Sequence, residues 1–167
     1  MTNSPFDIAS LVEAHNRLNF KSGSAPLDRY LKEQATQDIR RRITACFVAC
    51  HEEHIIGYYT LASTSIPLSA LPPGISKKLP RYPTVPAVRM GRLAVDEAFK
   101  GQGLGGALLA DAISRTCRSE IAAYALIVDA KDKMAVSFYQ HHGFILLPDT
   151  PMTLFLPLAT VKAVSKK

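Results

Sequence analysis

"AVDEAFKGQGLGGALLADAI", residues 94–113, passes from an apolar run through a glycine cluster into a helical pattern. Four glycines within six residues (Gly101, Gly103, Gly105 and Gly106) leave backbone N–H groups uncovered where that helix begins. The first N–H groups of a helix have no partners inside it, and its dipole is positive there, so the stretch specifies an anion site. Fold and function both turn on whose phosphate it holds.

On either side the hydrophobic spacing sets the element order. Leu27, Tyr30, Leu31, Ala35 and Ile39 recur at helical spacing behind Ser24-Ala25-Pro26, which predicts one helix. "TACFVAC" (44–50) and "HIIGYYTLAS" (54–63) flank the short polar "HEE", which predicts a hairpin. Residues 66–86 hold six of the eleven prolines and read as an irregular loop. "AVRMGRLAV" (87–95) is a third strand feeding the glycines. In the next helix Leu104, Leu108, Leu109, Ile113 and Cys117 form the inner side, with Asp111 and Arg115 paired on the outer one. "AAYALIVDA" (122–130) is apolar on both faces and suits the middle of a sheet. "KDKMAVSFYQHHG" (131–143) is a helix that packs Met134, Ala135 and Phe138 and stops at Gly143; "FILL" and "MTLFLPL" close the chain as strands. The result is a mixed α/β domain with an antiparallel first half.

Composition bounds the function. The chain has 167 residues, 47% of them hydrophobic, enough for one domain with a buried core. "MTNSPFDIASLVEAH" lacks a basic and then apolar leader, and no apolar run approaches the ~20 residues of a membrane span, so a cytoplasmic protein is expected. Cys46, Cys50, His51 and His54 could suggest a metal, but the strand spacing holds the two sulfurs apart and no metal is expected. The net charge of +6 gathers in Arg40, Arg41 and Arg42, in Lys77, Lys78 and Arg81, and in Arg89 and Arg92. A polyanion, nucleic acid or a phosphate-rich cofactor, is the partner such charge suggests.

Two familiar phosphate loops are excluded. A Walker A loop needs Lys and then Ser or Thr after its last glycine, where this chain has Ala107 and Leu108. Gly101, Gly103 and Gly106 satisfy the dinucleotide spacing, with Asp129 as a ribose acid, but a hairpin precedes them and about sixty residues follow. The second nucleotide half cannot be built.

Lys100-Gly101-Gln102-Gly103-Leu104-Gly105 resembles the R/Q-x-x-G-x-G/A signature of the GNAT acetyltransferase superfamily, with Lys100 in place of Arg or Gln. "SFYQHHGF" (137–144), led by Ala135, resembles a second segment of the same superfamily. The resemblance implies an α/β (α+β) fold: a mixed, mostly antiparallel sheet flanked by helices, opening between its central strands for acetyl-CoA. It implies one domain over 1–167, with a core of about 5–158 and a short basic tail. Leu93, Ala94 and Val95 would pair with the pantetheine arm, and Lys100, Gly101, Gln102, Gly103, Leu104, Gly105 and Gly106 would hold the pyrophosphate. Tyr139 would protonate the leaving thiolate while the N–H of Val95 or its neighbour steadies the oxyanion. His141 and His142 read as solvated helix-end residues. No cysteine lies near the motifs, so a cysteine acyl-enzyme is not expected.

"FKSGSAPLDRYLKEQA" (20–35), "LPRYP" (79–83), "GRLAVD" (91–96) and "FYQHHGF" (138–144) together resemble the acetyltransferase toxins of bacterial toxin–antitoxin modules. Lys21-Ser22-Gly23 departs from their usual Cys-Gly. That resemblance implies acetylation of the α-amino group of aminoacyl-tRNA, a ribbon-helix-helix antitoxin and a homodimer. The basic clusters would then hold tRNA phosphates. The rivals are an acetyltransferase for a small amine or protein N-terminus, indifferent to those clusters, and a non-catalytic acetyl-CoA-binding module.

Overall fold

The computed structural model describes residues 6–161. Among these residues seven strands join in one sheet, in the order β1-β2-β3-β4-β5-β7-β6. They are β1 (Asp7–Ser10), β2 (Ala45–His51), β3 (His54–Pro67), β4 (Thr84–Val95), β5 (Ala125–Asp129), β6 (Ile145–Leu147) and β7 (Thr150–Pro157). The helices are α1 (Ala25–Arg29), α2 (Ala35–Arg40), α3 (Pro73–Ser76), α4 (Leu104–Arg118) and α5 (Lys133–His141). β1, β2 and β3 pair antiparallel, whereas β4 and β5 run parallel from Ala87↔Ala125 to Met90↔Val128. The antiparallel first half is as expected.

The chain divides into two compact units. One takes in the chain up to Ala62 with Gly91–Ser114, the other Ser63–Met90 with the chain from Arg115 onward. In the first unit the core joins Phe20, Tyr30, Leu31, Val48, Ile55 and Tyr58. Gly57 of β3 lies directly beneath α4: a Cβ there would sit 2.9 Å from Leu108 Cδ1, 3.2 Å from Leu104 Cδ2 and 3.2 Å from the Ala94 carbonyl oxygen. The buried Tyr59 hydroxyl donates to Asp111 of α4 at 2.6 Å. In the second unit Ile66, Val85, Ala87, Ala125, Ile127 and Phe155 form the core. Ala125 through Val128 are buried without alternation, as a central strand requires.

Several expectations need correction. β1 has no counterpart in the sequence pattern, because four residues with one alternation carry little signal. The expected single helix is interrupted by a π-helical turn, Tyr30–Gln34. Hydrogen bonding explains part of this local geometry, since the Tyr30 hydroxyl and the Gln34 side chain both donate to Asp38. The stretch 66–86 is more ordered than a loop: β3 reaches Pro67, α3 forms one turn, and β4 starts at Thr84. On α4, Leu104, Leu108 and Leu109 are buried as expected, but Ala112 and Thr116 are also buried while Ile113 and Cys117 are only half-buried. Met134 does not pack. It is 83% exposed in the first turn of α5, which Asp132 caps on the Ala135 N–H, and Tyr139 is the residue this helix buries. The expected basic tail lies outside the described residues.

The close approach at Gly57 makes a stability prediction. Gly57→Ala should cost about 1–3 kcal/mol, because the new methyl meets a backbone carbonyl as well as two leucines. Gly74→Ala, where a Cβ would meet nothing within 4 Å, should leave the urea midpoint unchanged or raised. Equal midpoints for the two variants would contradict this account.

Candidate active site

The glycine turn before α4 takes its shape from backbone freedom. Gly101 (φ +81°) and Gly103 (φ +82°) occupy the left-handed region, and a Cβ at either would meet nothing within 4 Å. Glycine is therefore required there for conformation, and the space outside the turn stays open for a ligand. The Ala107 N–H makes its helical bond to the Gly103 carbonyl at 3.0 Å, so the N–H groups of residues 104–106 precede the helical ladder. They are the donors that a pyrophosphate would use.

Lys100, expected to help hold the pyrophosphate, also reaches the chain beside the turn. Its Nζ donates to the Ser22 carbonyl at 2.7 Å, and the neighbouring chain is tied in turn. The Lys21 N–H donates to Asp96, the Glu97 N–H to the Lys21 carbonyl, and the Ser22 hydroxyl to Asp28 at 2.6 Å. The Lys21-Ser22-Gly23 departure thus clasps the segment that leads into the glycine turn. Ala94 is buried on the β4 segment, and Leu93 and Val95 are half-buried beside it.

Within the second unit α5 places Tyr139 inward, only 6% exposed, while Phe138 is half-buried. Burial, with the nearby Asp129 carboxylate adding to it, pushes the Tyr139 phenol up to about 12. Asp129 is itself held by Arg89 and by the Thr153 hydroxyl, which donates to it at 2.8 Å. His141 and His142 are exposed, and the His142 ring nitrogen meets the Phe138 carbonyl at 2.9 Å. A phenol held neutral is a proton donor.

Residues 42–146 match the acetyltransferase (GNAT) domain model. A curated relative from Mycobacterium tuberculosis, named tRNA-acetylating toxin, is 34% identical over 92% of this chain and 93% of its own. The chain belongs to the GNAT acetyltransferase family. Among solved structures it is similar to AtaT complexed with acetyl-methionyl-tRNAfMet, with TM-score 0.88, 28% identity, and 96% and 99% of the two chains covered. It is also similar to AtaTR bound with acetyl-CoA (TM-score 0.81, 29% identity, 96% and 98% covered). A mutant AtaT toxin bound to the C-terminus of the antitoxin AtaR matches with TM-score 0.81 and 25% identity over 98% and 100%.

The acetyltransferase takes its acetyl group from acetyl-CoA. Burial raises all three of its cysteine thiols, Cys46 to about 12. Among the described residues no cluster suits a metal, and no helix is long and apolar enough to cross a membrane.

The basic residues separate into two sorts. Arg40, Arg41 and Arg42 are exposed at the end of α2, Arg40 reaching Glu13 at 3.4 Å. Lys77, Lys78 and Arg81 are exposed as well, and Lys77 and Arg81 line one groove. Arg89 and Arg92 are half-buried and already engaged, the first with Asp129 and the second 3.4 Å from the centre of the Tyr30 ring. Sequence alone groups these two with the outward cations. It also passes over Asp129 as Tyr139's neighbour, although an acid closing an apolar strand is a usable signal.

The phenol's environment can be titrated. The difference spectrum of the wild type minus Tyr139→Phe should show one phenolate step centred near about 12 and none at pH 10. Because the folded value lies above the ordinary value of 10.0, Tyr139's contribution to stability is intact below pH 10 and lost as pH rises toward 12. The wild type should therefore lose more stability across that window than Tyr139→Phe does. A step at the ordinary tyrosine value would show that the ring is not buried.

Proposed function

We propose that this acetyltransferase is a toxin that transfers the acetyl group of acetyl-CoA to the α-amino group of aminoacyl-tRNA, blocking translation until a cognate antitoxin binds it. The observation that carries the reading is the near full-length match to a relative named tRNA-acetylating toxin. The glycine turn and the exposed basic clusters support it chemically. One domain spans the chain, acting in the cytoplasm where charged tRNA is found. Its partners in this reading are a ribbon-helix-helix antitoxin and a second copy of the chain.

The reaction asks little of the protein. An α-amine titrates near about 8, and the adjacent ester lowers it further, so much of the substrate is neutral at physiological pH. The neutral amine attacks the thioester carbonyl, an amide bond forms, and the carbon–sulfur bond breaks. In this reading Leu93–Val95 orient the pantetheine arm, a β4 N–H steadies the oxyanion, and the glycine turn holds the pyrophosphate. Tyr139 offers its proton to the departing thiolate, and the proton that the attacking nitrogen sheds as the amide forms restores the phenol.

Tyr139→Phe should lower kcat for acetyl transfer to bulk charged tRNA about a hundredfold, the lower part of the range for general-acid help. Binding of acetyl-CoA should be unchanged, and toxicity should fall with kcat. Full activity in the variant would remove Tyr139 from the chemistry. Cells that translate normally while expressing the active wild-type enzyme would remove the toxin reading and favour a metabolic amine.

A further inference from the structure

We propose that the groove in the proline-rich segment between β3 and β4 binds one unpaired nucleotide, its base against Tyr82 and its phosphates on Lys77 and Arg81. The groove has a volume of about 600 Å³ and is lined by Ser69, Ser76, Lys77, Leu79, Arg81 and Tyr82, among others. That is within the range of small-ligand sites. Tyr82 is 64% exposed, so its aromatic surface is left to solvent in a segment whose other apolar residues are used. Leu71 is buried, and Leu68, Ile75 and Leu79 pack against the core of the same unit. Among the large apolar residues of this segment, Tyr82 is the one displayed.

The segment is also held still. The Tyr82 N–H donates to the Pro80 carbonyl at 2.9 Å, and the Leu68 N–H donates to the Pro83 carbonyl at 3.0 Å. Prolines on both sides fix φ and lower the entropy lost when a ligand orders the ring. Charge points the same way. No acidic residue occurs between Glu53 and Asp96, while Lys77, Lys78 and Arg81 lie within five positions of one another.

An exposed ring beside two cations is the combination that binds single-stranded nucleic acid, by stacking plus phosphate neutralisation. A duplex buries its base faces and offers phosphates alone. An unpaired end offers both. The proposal rests on the aminoacyl-tRNA reading, since the unpaired end of tRNA is where that substrate carries its amino acid.

The test compares an RNA hairpin carrying a four-nucleotide unpaired 3′ tail with the same hairpin made blunt, both labelled for fluorescence anisotropy. Tyr82→Ala should weaken binding of the tailed hairpin roughly five- to a hundredfold, as removal of one stacking platform does, without changing the salt slope. Binding of the blunt hairpin should not change, Tyr82→Phe should behave as wild type, and the melting temperature should be unaltered. Replacing Lys77 and Arg81 by alanine should flatten the salt slope for the tailed hairpin by about 0.7 for each phosphate that is no longer neutralised. Unchanged affinity in Tyr82→Ala, or equal losses on tailed and blunt hairpins, would overturn the proposal. Acetylation of charged tRNA by the wild type, assayed separately, tests the functional reading: its absence defeats that reading, whereas its presence with an unaltered KM in Tyr82→Ala defeats the groove alone.

Discussion

A missing side chain on β3 sets where α4, and with it the glycine turn, is seated. Gly57 lets Leu104 and Leu108 descend onto the strand until a Cβ there would sit 2.9 Å from Leu108 and 3.2 Å from Leu104, with the Ala94 carbonyl equally close at 3.2 Å. The buried Tyr59, two residues along and so on the same face of the strand, donates to Asp111. With α4 fixed at both places, the direction of its first N–H groups is fixed too. The left-handed turns at Gly101 and Gly103 then present those donors without covering them. Where the first-turn N–H groups of a helix point depends on where the helix is seated, and a glycine seats this one.

The same economy shows in the charges. A net charge of +6 could be spread evenly, but the structure assigns its cations to separate tasks. Lys100 holds the Ser22 carbonyl, Arg89 holds Asp129 beside Tyr139, and Arg92 covers Tyr30, whose phenol is pushed up by burial and by its bond to Asp38. Guanidinium over an aromatic face suits Arg92, since it loses less hydration there than an ammonium would. Arg40–Arg42, Lys77, Lys78 and Arg81 are among the cations left facing outward.

The parts legible in the sequence are those whose signal is local. Leu104, Leu108 and Leu109 declare α4 by their period, the glycines declare its start, and the apolar 125–128 run declares a central strand. Paired elements of low contrast are harder to read. β1 exists because Phe47–Cys50 offer it a partner, which four residues cannot announce. The π turn at Tyr30–Gln34 escapes notice because Leu27, Tyr30, Leu31, Ala35 and Ile39 fit an ordinary helical spacing in the sequence. Met134 reads as apolar and inward, yet it lies exposed in the capped first turn of α5, and Tyr139 is the residue of that helix brought into the core. Asp129 is marked by closing an apolar strand, but its partners are hidden in the chain order, because Arg89 and Thr153 arrive from β4 and β7.

The depth of Tyr139 constrains the chemistry it can perform. A phenol raised to about 12 is ionised to a negligible extent at neutral pH, so it cannot be the base that takes the amine's proton. In the proposed reaction its part is then that of an acid, offering a proton to the sulfur as charge collects there. The attacking nitrogen becomes strongly acidic once it is bonded to the acetyl carbon, and the proton it sheds restores the phenol. A buried tyrosine, an amine already neutral and a good leaving group form a consistent set, and none of them calls for a general base.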